Sequence, residues 1–328
     1  MLTVTGNRLV DGDGKDVQLL GVNYDGAEYM CVQGRGIFDG PSDDALVDAI
    51  AAWKPNVVRV PLNPHCWLGL DGLDPQWSGQ AYKDAIVTFV NRLRARNLYV
   101  VLEAHWSSTI PGQATKQQPM IDREYGLPFW KSMGETWKDD RGVVFDPYNE
   151  PFLDASNTNG AFDGDVWECW RLGCTVQGNG EQFIAAGYQP LVDEIRDTGA
   201  KNVILMGGLD YANDLRGMIA HLPNDREHAI AASFHVYDFN RCKDEGCWDG
   251  EIAKVAETIP VVTLELGQTD CDRDFVERYM AWADARKIGF LGWTFNPGDC
   301  GKRPSLVTDF DGTPTAFGAA FKDRFATN

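Results

Sequence analysis

An α/β chain folded as a (β/α)8 TIM barrel is the prediction, and three observations carry it. Eight short, β-rich apolar runs recur along the 328 residues, of the kind found in strands buried on both faces. Amphipathic stretches with helical spacing separate most of them. No Gly-x-Gly-x-x-Gly follows the first run, which removes the best-known nucleotide-binding form of the rival doubly wound sheet.

The elements follow in order. Residues 1–20 read as an N-terminal β-hairpin packed on the barrel, running from Thr3 to Leu20 with Asp11-Gly12-Asp13-Gly14 as its turn. The same letters match the start of a calcium loop, but the twelfth position is Val22 rather than Glu, so no metal is expected there. Barrel strands are expected at Leu19 to Tyr24, Val57 to Pro61, Leu98 to His105, Val143 to Glu150, Val203 to Gly208, Ile230 to Tyr237, Val261 to Gly267 and Phe290 to Phe295. Ser42 to Ile50 opens on a capping residue and continues with helical spacing. Ala81 to Arg96 places Ile86, Phe89, Val90 and Leu93 on one helical face. Glu181 to Thr198 and Arg273 to Arg286 read the same way. Pro147, near the end of the fourth run, removes a ladder hydrogen bond and predicts a local bend.

Bulk properties narrow the class. With 44% hydrophobic residues, the chain can bury a large core. No low-complexity linker or repeat divides it, so residues 1–328 are expected to form one catalytic barrel domain. No apolar run is long enough to cross a membrane. A net charge of −18 repels nucleic acid and anionic membranes, so neither is an expected partner. The eight cysteines, Cys31, Cys66, Cys169, Cys174, Cys242, Cys247, Cys271 and Cys300, all fall in expected loops, and none forms a Cys-x-x-Cys pair. That favours disulfides over zinc and an oxidising compartment over the cytosol. The protein is therefore expected to be secreted, although Met1-Leu2-Thr3-Val4 leads into strand material with no signal peptide before it. Sequence leaves the pairing open. If the barrel forms, proximity suggests Cys31–Cys66, Cys169–Cys174, Cys242–Cys247 and Cys271–Cys300.

In such a barrel, chemistry collects where strands end at the C-terminal face. Those ends deliver Arg59, His105, Asn149, Glu150, His235, Tyr237, Glu265 and Trp293. Asn149-Glu150-Pro151 follows the apolar run Val143-Val144-Phe145, and Glu265 follows Val261-Val262-Thr263-Leu264. An isolated Glu in an apolar strand is costly unless partnered or employed. Two of them at one barrel mouth supply what glycoside hydrolysis requires, an acid and a nucleophile. Arg59 and the Tyr237 hydroxyl can hold the charge on Glu265. Asn149 can bond the sugar 2-hydroxyl, a contact that strengthens in the transition state. His105 and His235 can bond sugar hydroxyls or shape the acid's surroundings, and Trp293 offers an apolar face.

An ordered set of strand-end motifs then resembles glycoside hydrolase family 5, the retaining cellulase-type family. It comprises Gly21-Val22-Asn23, Val58-Arg59-Val60-Pro61, Leu102-Glu103-Ala104-His105, Asn149-Glu150-Pro151, His235-Val236-Tyr237, Glu265-Leu266-Gly267 and Gly292-Trp293. The resemblance implies Glu150 as acid/base and Glu265 as nucleophile, with the other six strand-end residues in support. It also implies no metal and no organic cofactor. The nucleophile motif departs from the common Gly-Glu-Phe-Gly, reading Leu264-Glu265-Leu266-Gly267. The expected substrate is a β-glycan polysaccharide or oligosaccharide, and the expected activity is endo-β-1,4-glucanase, acting as a monomer. Endo-β-1,4-mannanase and an exo-acting, disaccharide-releasing β-glycosidase are the alternatives, the latter needing the Asp154 to Gly180 insert to close one end of the cleft. Trp67, Trp106, Trp130, Phe152, Trp167, Trp170 and Trp248 are candidate sugar platforms.

Overall fold

A computed structural model describes residues 1–108 and 112–327. Eight parallel strands close into a barrel, each hydrogen-bonded to the next in chain order and the eighth to the first. They are Leu20–Asn23, Val57–Leu62, Tyr99–Ala104, Val143–Asp146, Ile204–Gly207, Ile230–Tyr237, Val261–Gly267 and Gly289–Gly292. All eight expected strands are present. The fourth stops at Asp146 instead of Glu150, because Pro147 has no N–H to donate. Two residues later Asn149 donates its N–H to Ala104 O at 3.1 Å, so the chain rejoins its neighbour just before Glu150.

Apolar packing occupies both sides of the barrel wall. Outward side chains such as Val58, Val60, Leu102 and Phe145 pack under the helices in one large buried cluster. Inward side chains form a second cluster that includes Val57, Val101, Val144, Leu205, Val262, Leu264 and Leu291. Leu2 and Leu9 of the N-terminal hairpin complete it, so the hairpin plugs the N-terminal end of the barrel. That hairpin pairs Leu2–Thr5 with Arg8–Asp11 and turns at Gly6-Asn7, not at residues 11–14. Gly6 takes the left-handed conformation, φ 59°, that the two-residue turn requires. Asp11 instead organises a second turn, accepting the N–H groups of Asp13 and Lys15 at 2.9 Å each.

Three helices occupy the expected places with small shifts. They are Asp44–Ala51, Gln80–Ala95 and Asp274–Asp284. The first is capped by Asp43, whose carboxylate accepts the Leu46 N–H, rather than by Ser42. The stretch Glu181 to Thr198 divides. Gln182–Ile184 is a strand, paired with Thr175–Gln177 in a small hairpin, and the helix begins only at Tyr188 and runs to Asp197. Phe183 points inward between exposed Gln182 and Ile184, a strand alternation of three residues that is too short to separate from the helical pattern beside it.

All eight cysteines are paired, as Cys31–Cys66, Cys169–Cys174, Cys242–Cys247 and Cys271–Cys300. Among the described residues, no helix is long and apolar enough to cross a membrane.

Candidate active site

The inward face of the barrel changes character within two residues. Below lies the apolar plug; above it, Arg59, Glu103, Asp146, His235 and Glu265 occupy the next inward positions of their strands, buried alongside Asn149. Arg59 is the hub. Its guanidinium donates to Glu265 Oε1 at 2.8 Å, Asn149 Oδ1 at 2.7 Å, Asn23 Oδ1 at 3.0 Å and Asp146 Oδ2 at 3.1 Å. Glu103 Oε1 stands 3.5 Å away.

Glu265 reaches this layer through a bulge. Val262 and Leu264 both face the barrel interior, so strict alternation would turn Glu265 outward. Pairing with the sixth strand slips here, from Phe234 opposite Thr263 to His235 opposite Glu265, leaving Leu264 as an extra residue. The slip turns Glu265 back inward, a known use of bulges beside active sites. There its Oε2 accepts the Tyr237 hydroxyl at 2.7 Å.

Glu150 stands opposite. His235 Nδ1 is 2.9 Å from Glu150 Oε1 and 3.7 Å from Glu265 Oε2. An oxygen of Glu150 and an oxygen of Glu265 lie within 4.8 Å of each other. The two carboxyls live in different surroundings. Glu265 holds a guanidinium and a phenol. Burial pushes Glu150 above the ordinary carboxylate range, against the hydrogen bond from Gln117 and the charges of His105 and Arg59. Burial also pulls His235 down to about 4, so its imidazole is neutral near neutral pH.

Arg59 and His105 are the basic groups among these buried carboxyls. Burial works against the charge on Arg59, but Glu103, Asp146 and Glu265 together overcome it. Burial likewise pulls His105 down, yet Glu103, whose Oε1 is 2.5 Å from Nδ1, and then Glu28 and Glu265 lift it to about 9. Burial, together with the charge of Glu103, pushes Asp146 well above the ordinary carboxylate range, against the pull of the Arg59 guanidinium.

All eight strand-end residues singled out in the sequence meet at this mouth. Trp293 lies parallel to the His105 ring, centroids 5.7 Å apart, and is joined to Thr294 by a cis peptide. Together with Gln117, Tyr211, Phe239 and Asn240, six of the eight line a pocket of about 420 Å³, while Arg59 and His235 lie behind it. A second hollow of about 520 Å³ continues past Tyr211, walled by Phe152, Trp167 and the loop at Asp154 and Ala155.

The proposed aromatic platforms fare differently. Trp67, Trp130, Trp170 and Trp248 are completely buried, their indole N–H groups donating to Ser132, Pro147, Gly207 and Cys242. They are core residues and cannot meet a sugar. Phe152 remains available, stacked on Tyr211 at 4.8 Å and 15°. Sequence reading quoted Asn23 and Glu103 in motifs but gave them no role, and it missed Asp146, Gln117, Tyr211 and Phe239 as site residues. Glu103 was within reach, since it lies two residues before His105 and hence on the same strand face. Tyr211 was not, because its placement depends on three successive left-handed residues, Asp210, Tyr211 and Ala212.

Many solved structures share this fold. Residues 10–299 match the family model described as cellulase, glycosyl hydrolase family 5. The chain belongs to glycosyl hydrolase family 5. It is thus a glycoside hydrolase of the cellulase type. An endoglucanase of Paenibacillus polymyxa is 23% identical over 90% of this chain and 80% of its own. A β-glucanase from Saccharophagus degradans, solved in complex with cellotetraose, superposes with a TM-score of 0.75 at 22% identity, covering 100% of this chain and 93% of the other. A β-mannanase from Thermomonospora fusca superposes at 0.68 with 16% identity, covering 97% and 92%. At these identities the two structures speak for the fold that the family 5 chain adopts.

Proposed function

We propose that this family 5 hydrolase is an endo-β-1,4-glucanase that retains anomeric configuration, with Glu265 as nucleophile and Glu150 as acid/base. The observation that carries the reading is the closeness of the two carboxyls, whose oxygens lie within 4.8 Å. Retaining pairs stand about 5–5.5 Å apart and inverting pairs about 6.5–9.5 Å. Their environments divide the labour as the mechanism needs. Arg59 and Tyr237 hold Glu265 as an anion poised to attack the anomeric carbon. Burial favours the protonated form of Glu150, which can give its proton to the departing glycosidic oxygen. When Glu265 becomes a glycosyl ester its charge disappears, and the repulsion that helped protonate Glu150 weakens. Glu150 then takes a proton from water while the water oxygen bonds to the anomeric carbon and the ester breaks. Two displacements restore the original configuration.

Asn149, His105, His235 and Trp293 complete the proposal as sugar-facing or orienting groups. Asn149 accepts an Arg59 N–H on its Oδ1, which leaves its amide N–H groups for a sugar hydroxyl. Internal cleavage is favoured because Tyr211 borders both hollows, so room for further sugar units extends past the acid. The named relatives, an endoglucanase and a β-glucanase solved with cellotetraose, favour glucan over mannan. The reading also takes residues 1–328 as one catalytic domain, since Leu2 and Leu9 close the barrel core. Secretion fits four disulfides, and a monomer suffices for a site built from one chain.

Product analysis on carboxymethyl-cellulose, mixed-linkage glucan, glucomannan, galactomannan, xyloglucan and laminarin tests it. Oligosaccharide ladders from the β-1,4-glucans are expected, with Glu265→Ala reducing turnover by roughly 10³-fold or more. Ladders from galactomannan alone make the enzyme a mannanase. A disaccharide as sole product makes it exo-acting, and less than about tenfold loss in Glu265→Ala removes Glu265 as nucleophile.

A further inference from the structure

Glu150 has a neighbour that comes from neither a barrel strand nor the strand-end motifs. Gln117, in the long connection after the third strand, donates its side-chain amide to Glu150 Oε2 at 2.8 Å. Gln117 is held from behind. Asn179, at the tip of the inserted hairpin Thr175–Gln177 and Gln182–Ile184, donates its side-chain amide to Gln117 O at 2.9 Å. The backbone N–H of the same Asn179 donates to Gln118 Oε1 at 2.8 Å. Gln118 in turn exchanges two hydrogen bonds with the hydroxyl of Tyr148, two residues before the acid. A chain of short contacts therefore runs from a surface hairpin to one oxygen of Glu150.

We propose that Gln117 is a positioning residue for the acid/base and that the inserted hairpin, through Asn179, sets its place. The inference rests on Glu150 being the acid/base. An amide N–H can only donate, so this contact favours the ionised carboxyl and opposes burial, which favours the protonated one. A retaining acid/base must occupy both states in each cycle, and the opposed pair keeps both within reach. Other groups also face Glu150. His235 and Glu265 approach it from the sixth and seventh strands. The charges of Arg59, from the second strand, and His105 and Glu103, from the third, act on it as well. The phenols of Tyr148, Tyr211 and Tyr237 are uncharged near neutral pH. Gln117 is the neighbour that both donates to a Glu150 oxygen and is bonded directly by the insert.

The test is a set of pH profiles on the soluble β-glycan that the panel selects, and on an aryl β-glycoside whose good leaving group makes deglycosylation limiting. Glycosylation needs protonated Glu150, so kcat/KM falls above its pKa. Deglycosylation needs the ionised form, so kcat falls below it. In Gln117→Met, of similar length without the donor, both limbs are expected to move to higher pH by at least about half a unit. Asn179→Ala should move both in the same direction by less. Lower rates with unmoved limbs in Gln117→Met, at an unchanged melting temperature, overturn the proposal. Movement in Gln117→Met but none in Asn179→Ala overturns the role of the hairpin. Glu150→Ala separates this failure from failure of the underlying reading, since an alkaline limb that persists without Glu150 removes Glu150 as the acid.

Discussion

The two ends of the barrel interior use the same strands for opposite purposes. At the lower level Val57, Val101 and Val144 pack against the hairpin leucines. Two residues further along each strand stand Arg59, Glu103 and Asp146, equally buried. The lower layer gains stability by removing apolar surface from water. The upper layer spends some of that stability, because each charge there needs a partner before it can be buried. What differs is tolerance. A missing methyl group below leaves a cavity, whereas a missing charge above leaves an unbalanced set of carboxylates.

Removing the hub should show this most strongly. Arg59→Met strands Glu103 and Glu265 without their cation, and a destabilisation of about 3–5 kcal/mol is expected in denaturant unfolding, with large loss of kcat/KM. A stable, inactive protein would mean that the upper layer is not charge-balanced through Arg59. In the lower layer, Leu205→Ala should cost about 2–5 kcal/mol, with kcat/KM of the folded protein unchanged. Impaired turnover there would erase the division between the two layers.

A third experiment uses pH. His105 is raised from 6.5 to about 9 in the folded protein, so its contribution to stability is fully present below about pH 6.5 and disappears as pH rises through about 9. Glu28, lifted by burial to about 8, also makes stability fall with rising pH, over the lower window above 4.5. Unfolding free energy should thus decline between pH 6.5 and 9, and the decline should flatten in His105→Gln. An unchanged slope in that variant would assign the loss to Glu28. The smallest effect is expected from Asp146→Asn. Burial pushes Asp146 well above its ordinary range, and an amide of the same shape keeps an oxygen to accept from Arg59, so stability at neutral pH should change by less than about 1 kcal/mol. A loss as large as that of Arg59→Met would show Asp146 to be a full anion.

Much of the upper layer was legible because a strand end is a local signal. Asn149-Glu150-Pro151 and Leu264-Glu265-Leu266 are polar interruptions of apolar runs, and runs are read without knowing what packs on them. Tryptophan is a poor guide by comparison. Trp67 and Trp130 looked like Trp293 in sequence, yet the first two are sealed in the core and the third lines the pocket. An indole suits both settings, so only its neighbours decide. The Asp11 turn misled for a related reason. Two turns follow each other closely, and the pairing of Leu2–Thr5 with Arg8–Asp11 selects Gly6-Asn7 for the hairpin.

Sequence alone determined the barrel, the order of its strands and the eight residues at its mouth, because each is written in a run of a few residues with a fixed period. Tertiary structure decided how those residues work. The extra residue at Leu264 turns Glu265 inward, Arg59 gathers the carboxyls of Glu265 and Asp146 around one guanidinium, and Asn179 places Gln117 on the acid across 62 residues of chain. These outcomes depend on register, burial and distance between segments far apart in sequence, which local periodicity does not encode.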